Sequence, residues 1–219
     1  MTEKKKKAEK PNGKLQPESI KIRATFTRPM LGTAPANPDV YSDFIAKKVD
    51  KERLADELKS LPQEDLEEKG MTVFHRDDDG DVVLLDYQVK GFIKEAFKAF
   101  CEFGEIKLPH GQKVSKYTAQ RVVDNFIFIY PFEIKIQMPE NGEVTKNVRP
   151  LRGQTQQGER VALACSEQVP KGSFIEFTVE WNNPTLKNTV IDSLDYGSKK
   201  GIGQWRNSGM GRFEWTEIE

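Results

Sequence analysis

Lys199-Lys200-Gly201-Ile202-Gly203-Gln204-Trp205-Arg206-Asn207-Ser208-Gly209-Met210-Gly211-Arg212 lies between a helix and a strand, and that position decides the fold. Upstream, Asn182-Asn183-Pro184 is a strong helix start, with Asn183 as cap and Pro184 at the first helical position. The helix is expected to run to about Tyr196, with Leu186, Val190, Ile191 and Leu194 on its buried side and Gly197 ending it. Downstream, Arg212 to Ile218 reads as a closing strand. Two glycine pairs, Gly201/Gly203 and Gly209/Gly211, bracket Arg206. Glycine lets a backbone approach a bulky ligand and permits positive φ, so that consecutive amides can point one way. Lys199, Lys200, Arg206 and Arg212 add charge, and Trp205 is placed either to stack on a base or to fill the core. The same glycines would also serve a tight hairpin with no ligand. A loop that leaves a helix and enters a strand runs opposite to a Walker A loop or a dinucleotide fingerprint, which excludes both.

The strand and helix signals upstream are as clear. Ser19 to Thr27 alternates Ile20, Ile22 and Ala24 with Lys21, Arg23 and Thr25, the pattern of a half-buried strand. Pro29, Gly32, Pro35 and Pro38 then interrupt regular structure. Asp39 is placed to cap a helix to about Lys48 and Asp50 a second to Leu61, with Leu54, Leu58 and Leu61 on one face. Met71–His75 and Val82–Leu85 flank Arg76-Asp77-Asp78-Asp79-Gly80-Asp81, a hairpin signal through its Asp-Gly pair. The strongest helix pattern covers Tyr87–Phe103. Val89, Phe92, Ile93, Ala96, Phe97 and Phe100 recur at three- and four-residue spacing, Lys90, Lys94, Glu95, Lys98 and Glu102 take the other side, and Gly104 suits the cap. A polar excursion opens at Leu108-Pro109-His110-Gly111 and runs to about Lys116. Phe126–Met138 is strongly β-like, with Pro131 placed to bend or divide it. Pro139–Gly158 is polar, either a loop or a hairpin. Val161–Cys165 and Phe174–Trp181 are strands, the latter with Ile175, Phe177, Val179 and Trp181 on one face.

The 34 Lys/Arg and 34 Asp/Glu cancel, but unevenly. Residues 1–30 carry nine basic against three acidic side chains, 51–90 six against twelve, and 141–213 ten against seven. A neutral total argues against a protein that coats DNA and leaves room for a local anion-binding face. Met1–Pro17 is Lys-rich with Leu15 as its one large aliphatic residue, and reads as a disordered basic tail. No apolar h-region follows its lysines, so it is not a signal peptide. No segment approaches the ~20 apolar residues of a membrane-spanning helix. Cys101 and Cys165 have neither a disulfide framework nor metal-ligand spacing, and a reducing, cytoplasmic setting is the simpler expectation. The Asp77–Asp81 turn lacks the Gly and Glu that a calcium loop places at its sixth and twelfth positions, where Val82 and Gln88 stand. No metal, cofactor or catalytic residue is assigned.

Gly201-Ile202-Gly203-Gln204-Trp205-Arg206-Asn207-Ser208-Gly209-Met210-Gly211, after a helix and before a last strand, resembles the C-terminal signature of the RAMP superfamily, the ferredoxin-like RNA-binding proteins of CRISPR systems. Gln88-Val89-Lys90-Gly91-Phe92-Ile93-Lys94 stands where backbone-forming RAMP subunits often show S-x-x-K-G-x-x-R. It keeps Lys90 and Gly91, has Lys94 for the arginine, and lacks the serine. The resemblance implies an α+β fold over residues 18–219, with a ferredoxin-like (RRM-like) core, an antiparallel sheet, a helical insertion at about 39–69, and excursions at about 105–120 and 139–160. It implies binding of RNA, guide-like, or another single-stranded nucleic acid along its backbone, with further copies of the chain or other effector-complex subunits as partners. Lys90, Lys94, Gly201, Gly203, Arg206, Gly209 and Gly211 carry over as contacts, and Lys199, Lys200 and Arg212 join them on charge and position.

Two alternatives stay open at this point. Some RAMP proteins cleave RNA, often with a His and a nearby Tyr or Lys. His110, with Lys113, Lys116 and Tyr117, is the better placed of the two histidines for an endoribonuclease, whereas His75 reads as a surface or edge residue. Asp39 and Asp43 fall where target-cleaving subunits keep an acid, though their surroundings match poorly. The other alternative is a phage-type scaffold or interaction protein with no nucleic-acid ligand.

Overall fold

The computed structural model describes residues 17–36, 71–103, 115–155 and 158–219. The tail up to residue 16, the helices expected at 39–69, Asp39, Asp43, Gly104 and His110 lie outside the described residues.

The alternation at 19–27 is strand β1 (Glu18–Phe26), in which Ile20, Ile22, Ala24 and Phe26 are buried. The apolar face of β11 (Phe174–Trp181) answers it in register, Ile20 opposite Val179, Ile22 opposite Phe177 and Ala24 opposite Ile175. On its other side β1 takes the closing strand β12 (Phe213–Glu217), with Phe26 opposite Phe213. The β-like run at 126–138 is divided at Pro131 into β7 (Ile127–Tyr130) and β8 (Glu133–Gln137), which pair successive parts of β11. All these pairings are antiparallel, and the order β12-β1-β11-β7/β8 is what two interleaved βαβ units produce. The core is therefore ferredoxin-like and the fold is α+β. Each fully buried Val, Ile or Phe here contributes roughly 1.5–3 kcal/mol.

Helix α1 (Asp86–Phe103) buries the face its periodicity defines, Val89, Phe92, Ile93, Ala96 and Phe97, against this sheet. A second helix that no apolar run announces, α2 (Lys116–Phe126), starts at a reciprocal Ser115–Thr118 cap and buries Ala119, Val122 and Val123. It runs directly into β7. Asn183 caps a 3₁₀ turn, Pro184–Leu186, that leads into α3 (Lys187–Lys200). Gly197 does not end α3, which continues to Lys200 and is closed by Gly201 at φ 88°. Gly197 is needed for packing: a Cβ there would lie 2.5 Å from Phe92 Cδ2. The α1–α3 contact is thus closed around a glycine, which holds the start of the glycine loop against α1.

A second sheet forms from β2 (Met30–Leu31), β3 (Ala34–Pro35), β4 (Thr72–Val73) and the hairpin β9 (Thr145–Thr155)/β10 (Gly158–Val169). This hairpin occupies most of the polar segment 139–160. Leu31 of β2 and Pro29 just before it offer their carbonyls to the amides of Gln204 and Gly211, which ties the glycine loop to this segment.

The acidic turn joins β5 (His75–Arg76) to β6 (Val82–Leu85), which extends the first sheet beyond β8. His75 lies on the edge strand but is 1% exposed, so the surface position expected from its neighbouring turn is incorrect. Burial pushes its imidazole from 6.5 down to about 4. Below pH 6.5 the unfolded chain takes up a proton that the folded one refuses until about pH 4. Stability therefore falls as pH falls through that window, by about 2 kcal/mol at pH 5. Urea midpoints taken from pH 7.5 to pH 5 should show the loss, and His75→Gln should remove most of that slope whatever its own stability.

Candidate nucleic-acid interface

The loop between α3 and β12 is a closed structure. Ile202 N–H donates to Gly211 O at 2.9 Å, and Gly211 N–H to Pro29 O at 2.8 Å. A Cβ on Gly201 would lie 2.4 Å from Met210 O, one on Gly203 2.6 Å from Leu31 O, and one on Gly211 1.8 Å from Ile202 O. The space these glycines leave is filled by the protein's own backbone. Gly209 differs, with the Arg212 guanidinium 3.5 Å from its would-be Cβ. Between the pairs, Trp205 takes left-handed backbone (φ 58°, ψ 30°), and Arg206–Ser208 makes a single 3₁₀ turn. Non-glycine residues pay for that conformation, so something must hold the indole.

Arg149 of β9 holds it. Its guanidinium lies 4.2 Å over the Trp205 ring and donates to Ser166 Oγ at 3.3 Å, Asn147 Oδ1 at 3.3 Å and Gln204 Oε1 at 3.4 Å. Arg149 is 6% exposed, and burial pushes its pKa down. A cation–π contact out of water is worth roughly 2 kcal/mol. Trp205 thus neither enters the apolar core nor stands free. Nothing in the sequence marks Arg149 as the partner, because 55 residues separate it from the Gln204 that it also contacts.

On the α1 side the loop faces a cleft of about 220 Å³ lined by Thr33, Gln88, Gly91, Gly201, Gly203 and Arg206, among others. Gln88 is fixed at its rim, accepting from Leu85 N–H at 2.8 Å and donating to Thr33 Oγ1 at 2.6 Å. The two sequence motifs, far apart in the chain, therefore form opposite walls of one cleft. Gly91 is an exposed glycine inside α1, and beyond its chain neighbours and its own helix backbone no atom lies within 4 Å of a would-be Cβ.

The basic side chains divide into two groups, each around one carboxylate. Arg206 Nη1 donates to Glu95 Oε2 at 2.6 Å, and Lys200 Nζ lies 3.5 Å from Glu95 Oε1 and donates to Asn207 at 3.2 Å. Lys94 and Lys90 turn instead toward α2, at 2.6 Å and 3.8 Å from Asp124 Oδ1, with Lys90 also 5.4 Å over the Phe128 ring. Lys199 and Arg212 are exposed. Of the candidate residues, Gly201, Gly203 and Arg206 line the cleft and Lys200 joins them through Glu95, while Lys90 and Lys94 lie one residue around the helix from it. Glu95 is readable in the sequence only as a polar-face residue, one helical turn beyond Gly91.

Elsewhere, Lys135 occupies the acidic turn, with Nζ 2.8 Å from Asp77, 3.0 Å from Asp81 and 3.7 Å from Asp79. Among the described residues no cluster of His, Cys, Asp and Glu is arranged to hold a metal ion, and no helix is long and apolar enough to cross a membrane.

An α+β ferredoxin-like chain whose closing glycine loop shares a cleft with Gly91 of α1 is the class that fold and site define. No protein-family model matches the sequence, and no curated protein does. Solved structures match by shape. A chain in the cryo-EM structure of the Type III-B Cmr-beta bound to cognate target RNA superposes with a TM-score of 0.56 at 10% identity, covering 94% of this chain and 61% of that one. The present chain therefore spans about three fifths of that neighbour's length. The crystal structure of Cmr6 from Pyrococcus furiosus gives a TM-score of 0.46 at 11% identity, covering 93% of this chain and 98% of that one. The first of these superpositions shows that the chain shares its fold with a chain of that RNA-bound complex.

Proposed function

We propose that the protein binds the backbone of RNA, or of another single-stranded nucleic acid, along the cleft between α1 and the glycine loop, as a non-catalytic RAMP-type subunit of an effector complex. The observation that carries this is Gly91. A glycine inside a helix costs about 1 kcal/mol relative to alanine. Gly197 on α3 returns that cost through its contact with Phe92, but Gly91 packs against nothing and opens on the cleft. A ligand backbone approaching the helix closely accounts for it. The Arg206 guanidinium in the facing wall supplies charge, and such contacts fix a strand in place without reading its sequence. Further copies of the chain, or other subunits, would continue the path along the strand.

Gly91→Leu tests this with opposite signs on two measurements. It should stabilise the fold by about 0.5–1 kcal/mol, because leucine is a good helix former and the space is open. It should at the same time weaken binding of a labelled single-stranded RNA at low salt, by about tenfold, by filling the cleft. A variant that binds as tightly as wild type would remove the cleft from the binding surface. Comparison of RNA with single-stranded DNA of the same sequence in that assay identifies the preferred ligand.

A further inference from the structure

Glu95 is an acid in the wrong place for a surface that holds phosphates, and its contacts explain why it is there. It has neighbours on three sides. The Tyr196 phenol of α3 is near enough that the carboxylate, after burial, pushes the phenol's pKa up. The Tyr196 ring is itself fixed edge-on to Phe100, with centroids 5.9 Å apart. Lys200, in the last turn of α3, lies at 3.5 Å from one carboxylate oxygen, and Arg206, in the loop, donates to the other at 2.6 Å. One carboxylate thus ties α1, α3 and the loop together, and the group keeps a net charge of +1 from two cations and one anion.

The Arg206 contact uses one corner of the guanidinium. Arginine has five N–H donors in a rigid fork, and Glu95 takes Nη1 alone. The side chain retains 32% exposure and lines the cleft that contains Gly91, so donors remain for an incoming phosphate. Arg206 begins a 3₁₀ turn with no side-chain cap, and its neighbours Asn207 and Ser208 are exposed. Among the described residues, the bond to Glu95 is the side-chain contact that fixes the direction of this long, rotamer-rich side chain.

We propose that Glu95 is the positioning residue of the binding cleft, orienting Arg206 toward a backbone phosphate instead of competing for it. This rests on the nucleic-acid reading of the cleft given above. It predicts a result opposite to simple electrostatics, under which removing an acid from an anion-binding surface tightens binding.

The test measures binding of a labelled single-stranded RNA to the full chain over a range of salt concentrations. Glu95→Ala is expected to weaken binding about tenfold at low salt and to reduce the magnitude of the log–log salt slope by about 0.7, the share of one phosphate contact on a single strand. Glu95→Gln, which keeps an acceptor in the same place, should recover part of the loss. In an Arg206→Ala background the same Glu95→Ala change should alter affinity less than twofold, because its effect acts through Arg206. Tighter binding by Glu95→Ala with an unchanged slope would overturn the proposal, showing Glu95 to be a competing charge. Equal losses in both backgrounds would also overturn it, showing a general effect on folding. Should Glu95→Ala fail to fold, Glu95→Gln takes its place in both backgrounds: it should weaken binding and lower the slope when Arg206 is present and do neither when Arg206 is alanine, and tighter binding overturns the proposal. Absence of RNA binding by the wild-type chain would instead overturn the functional reading itself, and this inference with it.

Discussion

Gly211→Ala is expected to destabilise the fold by about 4 kcal/mol, a large share of the roughly 5–15 kcal/mol that native domains have in reserve. Three effects add. The backbone at φ 68° is left-handed, which costs an L-residue roughly 1–2 kcal/mol. The new Cβ would lie 1.8 Å from Ile202 O, and the atom it meets is main chain, which cannot swing aside as a side-chain end can. Relieving that overlap separates Ile202 from Gly211, breaking the 2.9 Å bond between them and straining the 2.8 Å bond from Gly211 to Pro29. Buried backbone groups left without partners cost about 1–3 kcal/mol each. Gly209→Ala is the matched control. Its φ of 83° carries the same backbone strain, but the nearest neighbour is the flexible end of Arg212 at 3.5 Å, so about 1 kcal/mol is expected. Urea denaturation of the two variants should separate them by about 3 kcal/mol. Equal losses would mean that the loop does not close on itself as described.

That contrast shows where the sequence was informative and where it stopped. Alternation in β1 and β11 and three-and-four spacing in α1 report burial directly, since each records which side of one element meets the core. The ferredoxin-like core, by contrast, is an expectation carried by the resemblance of the glycine loop and the Lys90-Gly91 helix, since periodicity within an element does not say which strand it pairs with. Helix α2 escapes because its apolar face is only Ala119, Val122 and Val123 beside a polar run, and because its start depends on the Ser115–Thr118 cap. Gly197 is misread for another reason: helix-ending glycines and packing glycines look alike until Phe92 is seen against it. In the loop, four glycines look equivalent in sequence. Three of them are spent on contacts with Met210, Leu31 and Ile202, which the loop brings close only when folded. The pairing of Arg206 with Glu95 spans 111 residues and that of Arg149 with Gln204 spans 55, distances over which no local pattern carries information.

Arg206→Glu is expected to abolish retention of single-stranded RNA at low salt, with at least about a hundredfold loss of affinity. A charge-assisted hydrogen bond to phosphate is worth about 1.5–3 kcal/mol, and reversing the charge adds repulsion of the phosphate to the loss of that bond. The new carboxylate would also stand beside Glu95, where Arg206 now donates at 2.6 Å, leaving Lys200 alone to balance two acids. The cleft would pass from a net charge of +1 to −1. The fold should suffer much less, because Arg206 is 32% exposed and its ion pair is partly screened. Thermal unfolding within a few degrees of wild type, together with lost binding, places the defect in the cleft. Lys94→Glu gives the comparison. Lys94 is paired with Asp124 on the α2 side and does not line the cleft, so its reversal should weaken binding only through the general field, by a few-fold. If Lys94→Glu proves the more damaging of the two, the strand runs over α1 toward α2, and the cleft at Gly91 is not its path.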